Sequence, residues 1–146
     1  MKSIFKNDIK NVLITGGAGF IGGNLVRKLL KESNAKIYNL DKLSYCSDPD
    51  FQIKSKSTLF DSYKNRYFFL NIDLSSRDNT ELAIKNVNPD LVIHLAAESH
   101  VDRSIDSPEF FIQSNIVGTF NLLEASKNHW ENLSESRKKI FRFHHI

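Results

Sequence analysis

The sequence predicts an α/β domain in which a parallel sheet carries helices on both faces. Short apolar runs typical of buried strands alternate along the 146 residues with amphipathic runs at helical spacing. A glycine cluster lies between the first strand and the first helix, where open α/β sheets form their ligand crevice. The last strand-like run begins at Ile140 and reaches the final residue. We therefore expect one domain over residues 1–146, with a sheet that is incomplete at its C-terminus.

The stretch Val12–Gly22 reads VLITGGAGFIG and joins a buried strand to an amphipathic helix through a tight turn. Gly16, Gly19 and Gly22 form the pattern G-x-x-G-x-x-G, close to the dinucleotide fingerprint of Rossmann-like doubly wound sheets. The first glycine allows the sharp turn, the second lets the backbone approach a pyrophosphate, and the third lets the helix pack closely. The alternative is a strand-to-helix connection whose glycines serve packing alone.

The other elements follow in the order β-α-β, an irregular stretch, then β-α-β-α-β. Apolar runs predict strands at Asn11–Thr15, Lys36–Leu40, Tyr67–Asn71 and Leu91–Leu95, before the fifth at Ile140. Helical spacing predicts helices from Phe20 to about Lys31, from Arg77 to Asn86 and from Ser107 to about Trp130. Ser75 and Asp78 have capping-box spacing, with Ser75 as the N-cap. The irregular stretch has partly helical character over residues 51–64.

The helix after Ser107 begins with Pro108 and Glu109, as expected for a first turn. Its apolar stripe consists of Ile112, Ile116, Phe120 and Leu123. Gly118 in mid-helix indicates close packing against a neighbouring element, because glycine there is about 1 kcal/mol less favourable than alanine. Asn115, on the row beside the stripe, is either a buried hydrogen-bonding residue or a boundary position.

Asp41 lies at the end of the second predicted strand, about twenty residues past the glycine turn. A carboxylate at this place can accept both hydroxyls of an adenosine ribose and would repel a 2′-phosphate. The position therefore favours NAD over NADP as the ligand. The alternative is an ordinary aspartate in a turn at the end of a strand.

A polar run follows the fourth predicted strand, from Ala96 to Ser104. Two alanines leave room for a flat or extended ligand, and the carboxyl ends of parallel strands face one crevice. We therefore expect this run to face the same crevice as the glycine turn. Taken singly, a histidine such as His100 is more often an ordinary loop residue than a catalyst, and Asp102 and Arg103 could simply pair with each other or with solvent. The cluster as a group is the better argument for a site.

Bulk properties exclude several classes of protein. No apolar run approaches the length of a transmembrane helix, and no secretory signal is evident at the N-terminus. The single cysteine, Cys46, cannot form an internal disulfide, which fits the cytoplasm. The net charge is +3, and the basic cluster of Arg137, Lys138, Lys139 and Arg142 is better explained as a solvated approach to the last strand than as a nucleic-acid site. No metal site is predicted.

Four motifs together resemble the extended short-chain dehydrogenase/reductases that act on nucleotide sugars. They are Thr15–Gly22, Asp41–Tyr45, Leu95–Ile105 and Asn115–Thr119. Within that superfamily the run Glu-Ser-His-Val-Asp-Arg-Ser, which ends at Ser104, most resembles the dTDP-glucose 4,6-dehydratases. The resemblance covers nearly the whole chain and fits least well over residues 48–65.

The resemblance implies a set of site residues. Those implied for the cofactor NAD are Gly16, Gly19, Phe20, Ile21 and Gly22 at the pyrophosphate, Asp41, Lys42, Leu43 and Ser44 at the adenosine ribose, Asp73 and Leu74 at the adenine, and Leu95, Ala96, Ala97, Glu98 and Ser114 along the path to the nicotinamide. Those implied for the substrate side are Ser99, His100 and Arg103. Ser44 and Ser114 stand where the family usually has threonine, and both keep the hydroxyl.

The resemblance also implies the reaction. Bound NAD⁺ takes hydride from C4 of the glucose of dTDP-glucose, water leaves across C5 and C6, and the hydride returns to C6. The family performs this with a Tyr-x-x-x-Lys pair and a Thr-Asp-Glu motif. The sole Tyr-x-x-x-Lys match, Tyr38 with Lys42, spans a strand end rather than a helix, and Thr-Asp-Glu does not occur. We therefore expect a truncated NAD-binding half with no catalytic residue and no substrate domain.

Two alternatives stay open at this point: a non-catalytic NAD-binding remnant, or another nucleotide-sugar epimerase or dehydratase. The family usually forms dimers through helices, so the resemblance also implies a homodimer to which the helix from Ser107 to Trp130 contributes.

Overall fold

The computed structural model describes residues 9–44, 47–48 and 62–146. Tyr45, Cys46 and the stretch 51–61, for which the sequence predicted turns and some helix, lie outside the described residues. The elements are β1 (Asn11–Thr15), α1 (Phe20–Glu32), β2 (Lys36–Asp41), β3 (Tyr67–Asn71), α2 (Arg77–Val87), β4 (Leu91–His94), α3 (Val101–Asp106), α4 (Pro108–Phe111), a π-helical segment (Ile112–Gly118), α5 (Thr119–Glu131), α6 (Glu135–Ile140) and β5 (Arg142–His145).

The strands form one parallel sheet in the order β3-β2-β1-β4-β5. The chain therefore winds outward from β1 in both directions, and the predicted Rossmann-like doubly wound sheet is confirmed. In the pairing register, Thr15 at the end of β1 lies between Leu40 of β2 and His94 of β4. The ends of these three strands consequently meet at one edge of the sheet, which positions the candidate site.

Helices cover both faces of the sheet, and each face has its own apolar core. On one face, Val12 and Ile37 pack with Val26 and Leu30 of α1. On the other face, the core is formed by Leu13, Leu40 and Val92 of the strands, Ala83 and Ile84 of α2, and Leu122 and Ala125 of α5. β1 alternates between the two cores because successive strand side chains point to opposite faces. Among the described residues, no helix is long and apolar enough to cross a membrane.

Three predicted boundaries are corrected by the structure. The N-cap of α2 is Ser76 rather than Ser75, and its side chain makes no capping hydrogen bond. Instead, the Ser75 amide donates to Asp73 Oδ1 over 2.9 Å, a local turn that competes with the capping box. The fourth strand ends at His94, one residue early, and the fifth begins at Arg142 because the preceding residues form α6.

The predicted helix from Ser107 to Trp130 is present, but it is interrupted by the π-helical segment. Its apolar stripe lies on the outside of the described fold, where Ile116 is 63% exposed and Phe120 is 55% exposed. The face that packs on α2 instead carries small and polar residues, among them Asn121, Ala125 and Ser126. The periodicity of the sequence identified the apolar face of this helix correctly. It could not predict whether that face packs on the sheet or lies on the outside.

Candidate functional site

The glycine turn between β1 and α1 is constrained first at Gly16. Its φ is +72°, a conformation that side chains of L residues rarely adopt. Its amide donates to Leu40 O over 2.9 Å, which ties the turn to β2. A Cβ at this position would lie 2.6 Å from the amide nitrogen of Ala96, at the exit of β4. Gly16 therefore allows the ends of three strands to come together.

The two other fingerprint glycines, at positions 19 and 22, differ in how tightly they are enclosed. A Cβ on Gly22 would overlap the carbonyl oxygen of Gly16, so the first turn of α1 packs on the glycine turn itself. Among the described residues, a Cβ on Gly19, the N-cap of α1, would meet only Gly16 O, at 3.3 Å. The packing alternative thus explains Gly16 and Gly22 but leaves Gly19 largely unexplained. The side chains of Phe20 and Ile21, in the first turn, are 87% and 65% exposed.

Asp41 lies beside the glycine turn, as predicted, and it fixes two backbone segments. Its Oδ2 accepts the Ala18 amide over 3.0 Å, and its Oδ1 accepts the Leu43 amide over 2.8 Å. The second bond makes a tight turn in which Leu43 has a φ of +57°. The turn interpretation of Asp41 is therefore correct. It does not exclude ribose binding, because an ionised carboxylate has about four acceptor positions and these two bonds use only part of them.

A charged pair crosses the crevice above the end of β1. Lys42, at the exit of β2, places its Nζ 2.8 Å from Glu98 Oε1, at the exit of β4. The same ammonium lies 3.5 Å from Ser114 Oγ in the π-helical segment. Because β1 lies between β2 and β4, this pair spans the opening that faces the glycine turn.

Asn115 holds the wall of the crevice. Its Oδ1 accepts the Glu98 amide over 2.8 Å, and its Nδ2 donates to Glu98 O over 2.9 Å. The Asn115 side chain thus pairs with the Glu98 backbone as a neighbouring strand would. It holds the backbone in place beyond His94, where β4 ends. This confirms the hydrogen-bonding interpretation of Asn115. The π-helical turn that carries Asn115 is a feature often found at functional sites.

Gly118 and Asn121 bring the same helix against the exit of β3. A Cβ on Gly118 would lie 3.1 Å from Leu74 Cβ, so the prediction of close packing at Gly118 is confirmed. Asn121 Nδ2 donates to Leu74 O and Ser75 O over 2.9 and 3.1 Å. The helical segment from Ile112 to Glu131 therefore hydrogen-bonds to the backbone that follows two strands. Asn115 binds the backbone after β4, and Asn121 binds the backbone after β3.

Two adjoining cavities open at this edge of the sheet. A narrow crevice of about 90 Å³ lies over the glycine turn, and its lining includes the predicted residues Gly16, Gly19, Asp41, Lys42, Ser44, Asp73, Leu74, Leu95, Ala96, Ala97, Glu98 and Ser114. A cavity of about 470 Å³ shares four of these residues and adds Leu43, Asn71, Ser107, Phe110 and Phe111. The larger volume falls in the range of small-molecule sites. Phe20, Ile21 and Gly22 line neither cavity.

The predicted substrate-side residues follow the wall segment. Ser99 and His100 are exposed, and the Ser104 amide donates to His100 O over 3.1 Å. The backbone of Arg103 lies within α3, an element that the sequence did not predict. Neither cavity is lined by Ser99 or His100, so the structure does not bring these two residues to the crevice described above, and the side chain of Arg103 lies outside what the structure describes.

His94 is a buried polar residue that the sequence analysis passed over. Its side chain is fully buried, with Nδ1 2.6 Å from Thr15 Oγ1 and Nε2 2.9 Å from Thr119 Oγ1. Burial, reinforced by the ring of His145 stacked 4.7 Å away, lowers the pKa of His94 to about 4. The available signal was a histidine in an otherwise apolar strand, at the position before the crevice wall.

Comparison with known proteins places the chain in a family. The profile of the family described as GDP-mannose 4,6 dehydratase matches residues 13–146. The chain belongs to this family. The match takes in the glycine turn and every later motif discussed above, through β5.

Proteins with similar sequences include two bacterial enzymes. The chain is 44% identical over 137 residues to the dTDP-glucose 4,6-dehydratase of Neisseria gonorrhoeae, covering 94% of this chain and 38% of that protein. It is 46% identical over 135 residues to the dTDP-glucose 4,6-dehydratase of Escherichia coli, covering 92% of this chain and 36% of that protein. The chain thus spans well under half the length of these relatives.

Solved structures similar to this chain include a dehydratase and an epimerase that act on nucleotide sugars. The dTDP-glucose 4,6-dehydratase DesIV of Streptomyces venezuelae, solved with NAD bound, aligns with a TM-score of 0.65 and 31% identity, over 81% of this chain and 36% of that one. The UDP-glucose 4-epimerase of Thermus thermophilus, also in complex with NAD, aligns with a TM-score of 0.66 and 30% identity, over 81% and 34%. Dehydratases and epimerases of nucleotide sugars therefore share this half of the fold.

Proposed function

We propose that the chain is the NAD-binding part of a dTDP-glucose 4,6-dehydratase, an enzyme that converts dTDP-glucose to its 4-keto-6-deoxy form. The observation that carries this proposal is the crevice over Gly19. There, an open glycine N-cap, the carboxylate of Asp41 and the wall Leu95–Glu98 surround one space. When bound, NAD⁺ would supply hydride acceptance and return. Two relatives that match over more than nine-tenths of the chain carry that activity in their names.

In this proposal the residues act by binding and orientation. The amides of the first turn of α1, which lack partners within the helix, would face the pyrophosphate. Asp41 would accept the ribose hydroxyls with its remaining acceptor positions, and its charge would disfavour a 2′-phosphate. Leu95, Ala96 and Ala97 would leave room for the nicotinamide end of the cofactor, beside Glu98 and Ser114. Ser99, His100 and Arg103 are proposed for the substrate side, on the resemblance alone.

Titration of the 146-residue chain with NAD⁺ and NADP⁺ tests cofactor binding. We expect weak binding of NAD⁺ and weaker binding of NADP⁺. Gly19→Ala should reduce NAD⁺ affinity by more than about tenfold, because the new methyl group would stand where the pyrophosphate approaches. Its fold should persist, since Gly16 O, at 3.3 Å, is the only crowded atom in the part of the chain that the structure describes. Equal affinity of the Gly19→Ala and unmodified chains would contradict the assignment.

A turnover assay tests the catalytic part of the proposal. The sequence contains neither the Thr-Asp-Glu motif nor a helical Tyr-x-x-x-Lys pair. We therefore expect no conversion of dTDP-glucose by the 146-residue chain in the presence of NAD⁺. Detectable formation of the 4-keto-6-deoxy product would show that other residues perform the chemistry. The cytoplasmic location expected from the sequence remains a prediction that cell fractionation would test.

We also propose that the exposed stripe of Ile112, Ile116, Phe120 and Leu123 pairs with a second copy of the chain. Four large apolar side chains, each 45% exposed or more, lie at helical spacing on one face. Ile116→Glu should shift the sedimentation of a dimer to that of a monomer. Leu82→Glu, on α2, is the matched control because Leu82 is 55% exposed but lies away from the stripe. A dimer that survives Ile116→Glu would refute the pairing.

No nucleic-acid partner is proposed. Three members of the basic cluster make contacts within the chain: Arg137 pairs with Asp90, Lys138 with Glu135, and Arg142 donates to the carbonyl of Lys139. The cluster therefore has a structural explanation.

A further inference from the structure

The hydrogen bonds of His94 link two parts of the crevice that the strands alone do not join. Thr15 is the last residue of β1 and directly precedes the glycine turn. Thr119 is the first residue of α5 and directly follows the π-helical segment that carries Ser114 and Asn115. The imidazole of His94 lies between the two threonine hydroxyls, 2.6 Å from one and 2.9 Å from the other.

The distances alone do not give the tautomer of His94, and we assign the direction of these hydrogen bonds from the neighbours of Thr15. The Ala96 amide lies 3.4 Å from Thr15 Oγ1, so this oxygen accepts a weak hydrogen bond from the crevice wall. The Thr15 hydroxyl proton is then available to Nδ1 of His94, and Nε2–H donates to Thr119 Oγ1. A neutral imidazole satisfies both contacts, which is the form that full burial favours.

A phenylalanine or leucine would fill the same volume without any polar group to satisfy. We therefore attribute the buried imidazole to the two hydrogen bonds that its ring nitrogens make with threonine hydroxyls. On one side it holds the residue that sets the position of Gly16. On the other side it holds the helix whose Asn115 pairs with the backbone of Glu98.

We propose that Thr15, His94 and Thr119 form a positioning chain that fixes the glycine turn relative to the opposite wall of the crevice. His94 is a positioning residue in this proposal and does not touch the dinucleotide. The chain sets the width of the space between Gly16 and Glu98, and thereby the fit of an extended dinucleotide. The inference rests on the proposed NAD binding and adds to it a residue that acts from beneath the site.

The test is a double-mutant cycle on NAD⁺ affinity with Thr15→Val and Thr119→Val, which remove one hydroxyl each at nearly constant volume. Each single variant should bind NAD⁺ about fivefold more weakly, the effect of losing about one net buried hydrogen bond. The double variant should be no more than about twofold weaker than either single variant, because both hydroxyls act through one imidazole. Ser126→Ala is the control, since Ser126 is buried on the same helix and its hydroxyl makes no hydrogen bond among the described residues. Its affinity should be unchanged.

The outcomes separate positioning from packing. A packing role alone would lower the melting temperatures of the variants and leave NAD⁺ affinity unchanged at temperatures where they are folded, and that result would overturn the proposal. Fully additive losses would also overturn it, because the threonines would then act independently. If the unmodified chain fails to bind NAD⁺, the proposed function itself is wrong, and the positioning chain has no ligand to position.

A second measurement keeps the inference testable if a valine variant does not fold. Nitrogen-15 NMR of histidine in the unmodified chain should show His94 as the neutral Nε2–H tautomer at pH 7. Its signals should shift when NAD⁺ is added, since the two threonines that it contacts adjoin the glycine turn and the π-helical segment that line the crevice. A protonated ring, an Nδ1–H tautomer, or signals that NAD⁺ leaves in place would contradict the proposal.

Discussion

The two ends of the parallel sheet use the same chemistry for different purposes. At the amino end, Asp90 accepts the Lys10 and Asn11 amides through Oδ2 and the Arg137 guanidinium through Oδ1. At the carboxyl end, Asp41 likewise accepts two backbone amides, and Lys42 pairs with Glu98. Both ends thus hold strand termini together with carboxylates.

The two ends differ in how many hydrogen bonds their carboxylates can still accept. Asp90 is 5% exposed and makes four hydrogen bonds, which use its acceptor positions within the fold. Asp41 makes two such bonds, is partly exposed and faces a crevice. The amino end is therefore closed and serves stability. The carboxyl end keeps polar groups available to a ligand, as expected of open α/β sheets.

The largest expected effect is that of Gly16→Ala at the carboxyl end. The substitution forces a Cβ to within 2.6 Å of the Ala96 backbone at a φ of +72°. We expect a loss of about 4 kcal/mol in the free energy of unfolding, measured by urea denaturation, because strained backbone and core overlap act together. Gly19→Ala, whose methyl group meets far less, is the control and should cost less than about 1 kcal/mol. Similar losses for both variants would mean that the turn is held by something other than close approach of strand ends.

Asp90→Ala at the amino end is expected to have the next largest effect. Removal of this carboxylate leaves the Lys10 and Asn11 amides and a partly buried guanidinium without their acceptor. Breaking such a pair lowers the free energy of unfolding by about 3 kcal/mol. NAD⁺ affinity of the folded molecules should not change, because the site lies at the opposite end of the strands. A selective loss of NAD⁺ affinity would show that the two ends are coupled.

The pH dependence of stability gives an intermediate effect and depends on His94. Its pKa is lowered to about 4, first by burial and then by His145, so the unfolded chain binds a proton more readily than the fold does. Stability is therefore present above the ordinary histidine pKa of about 6.5 and is lost as the pH falls toward 4. We expect the contribution of His94 to fall by about 2 kcal/mol between pH 7 and pH 5.

Denaturation of the His94→Gln variant across this pH range checks the assignment. The variant should have a flatter profile than the unmodified chain. A smaller slope of the same sign should remain, because burial also lowers the pKa of His129. An unchanged slope in the His94→Gln variant would refute a neutral, buried imidazole.

The contrast between the two ends also explains what the sequence could predict. The strands β1, β2 and β3 and helix α1 were predicted nearly to the residue, because each combines a periodic apolar run with glycine or turn residues at its ends. The glycine turn and Asp41 were recognised because their spacing along the chain is fixed by one β-α-β unit. Local pattern and tertiary structure agree in this part of the molecule.

Other features depend on contacts between distant segments, and local pattern could not reveal them. His94 and Thr119, which lie 25 positions apart in the sequence, are brought together by the packing of α5 on the sheet. Asn115 contacts Glu98 from a π-helical turn, whose phase a period of 3.6 does not anticipate. Arg137 was assigned to solvent, yet it closes the amino end of the sheet through Asp90.

The smallest effect is expected at the ion pair of the carboxyl end. Lys42 and Glu98 lie 2.8 Å apart, close to the 2.7 Å of the Arg137–Asp90 pair, so distance does not distinguish the two. The Lys42–Glu98 pair lacks the backbone amides that Asp90 gathers, and partly exposed pairs contribute little. Glu98→Gln should lower the free energy of unfolding by about 0.5 kcal/mol. Arg137→Gln should lower it by several times that amount. The effect of Glu98→Gln should become smaller still in 0.5 M salt, which screens exposed charges. A Lys42–Glu98 pair this weak can open at little cost in free energy when a ligand enters the crevice. If Glu98→Gln instead lost as much stability as Arg137→Gln, the pair would keep the crevice closed, and the dinucleotide would have to enter elsewhere.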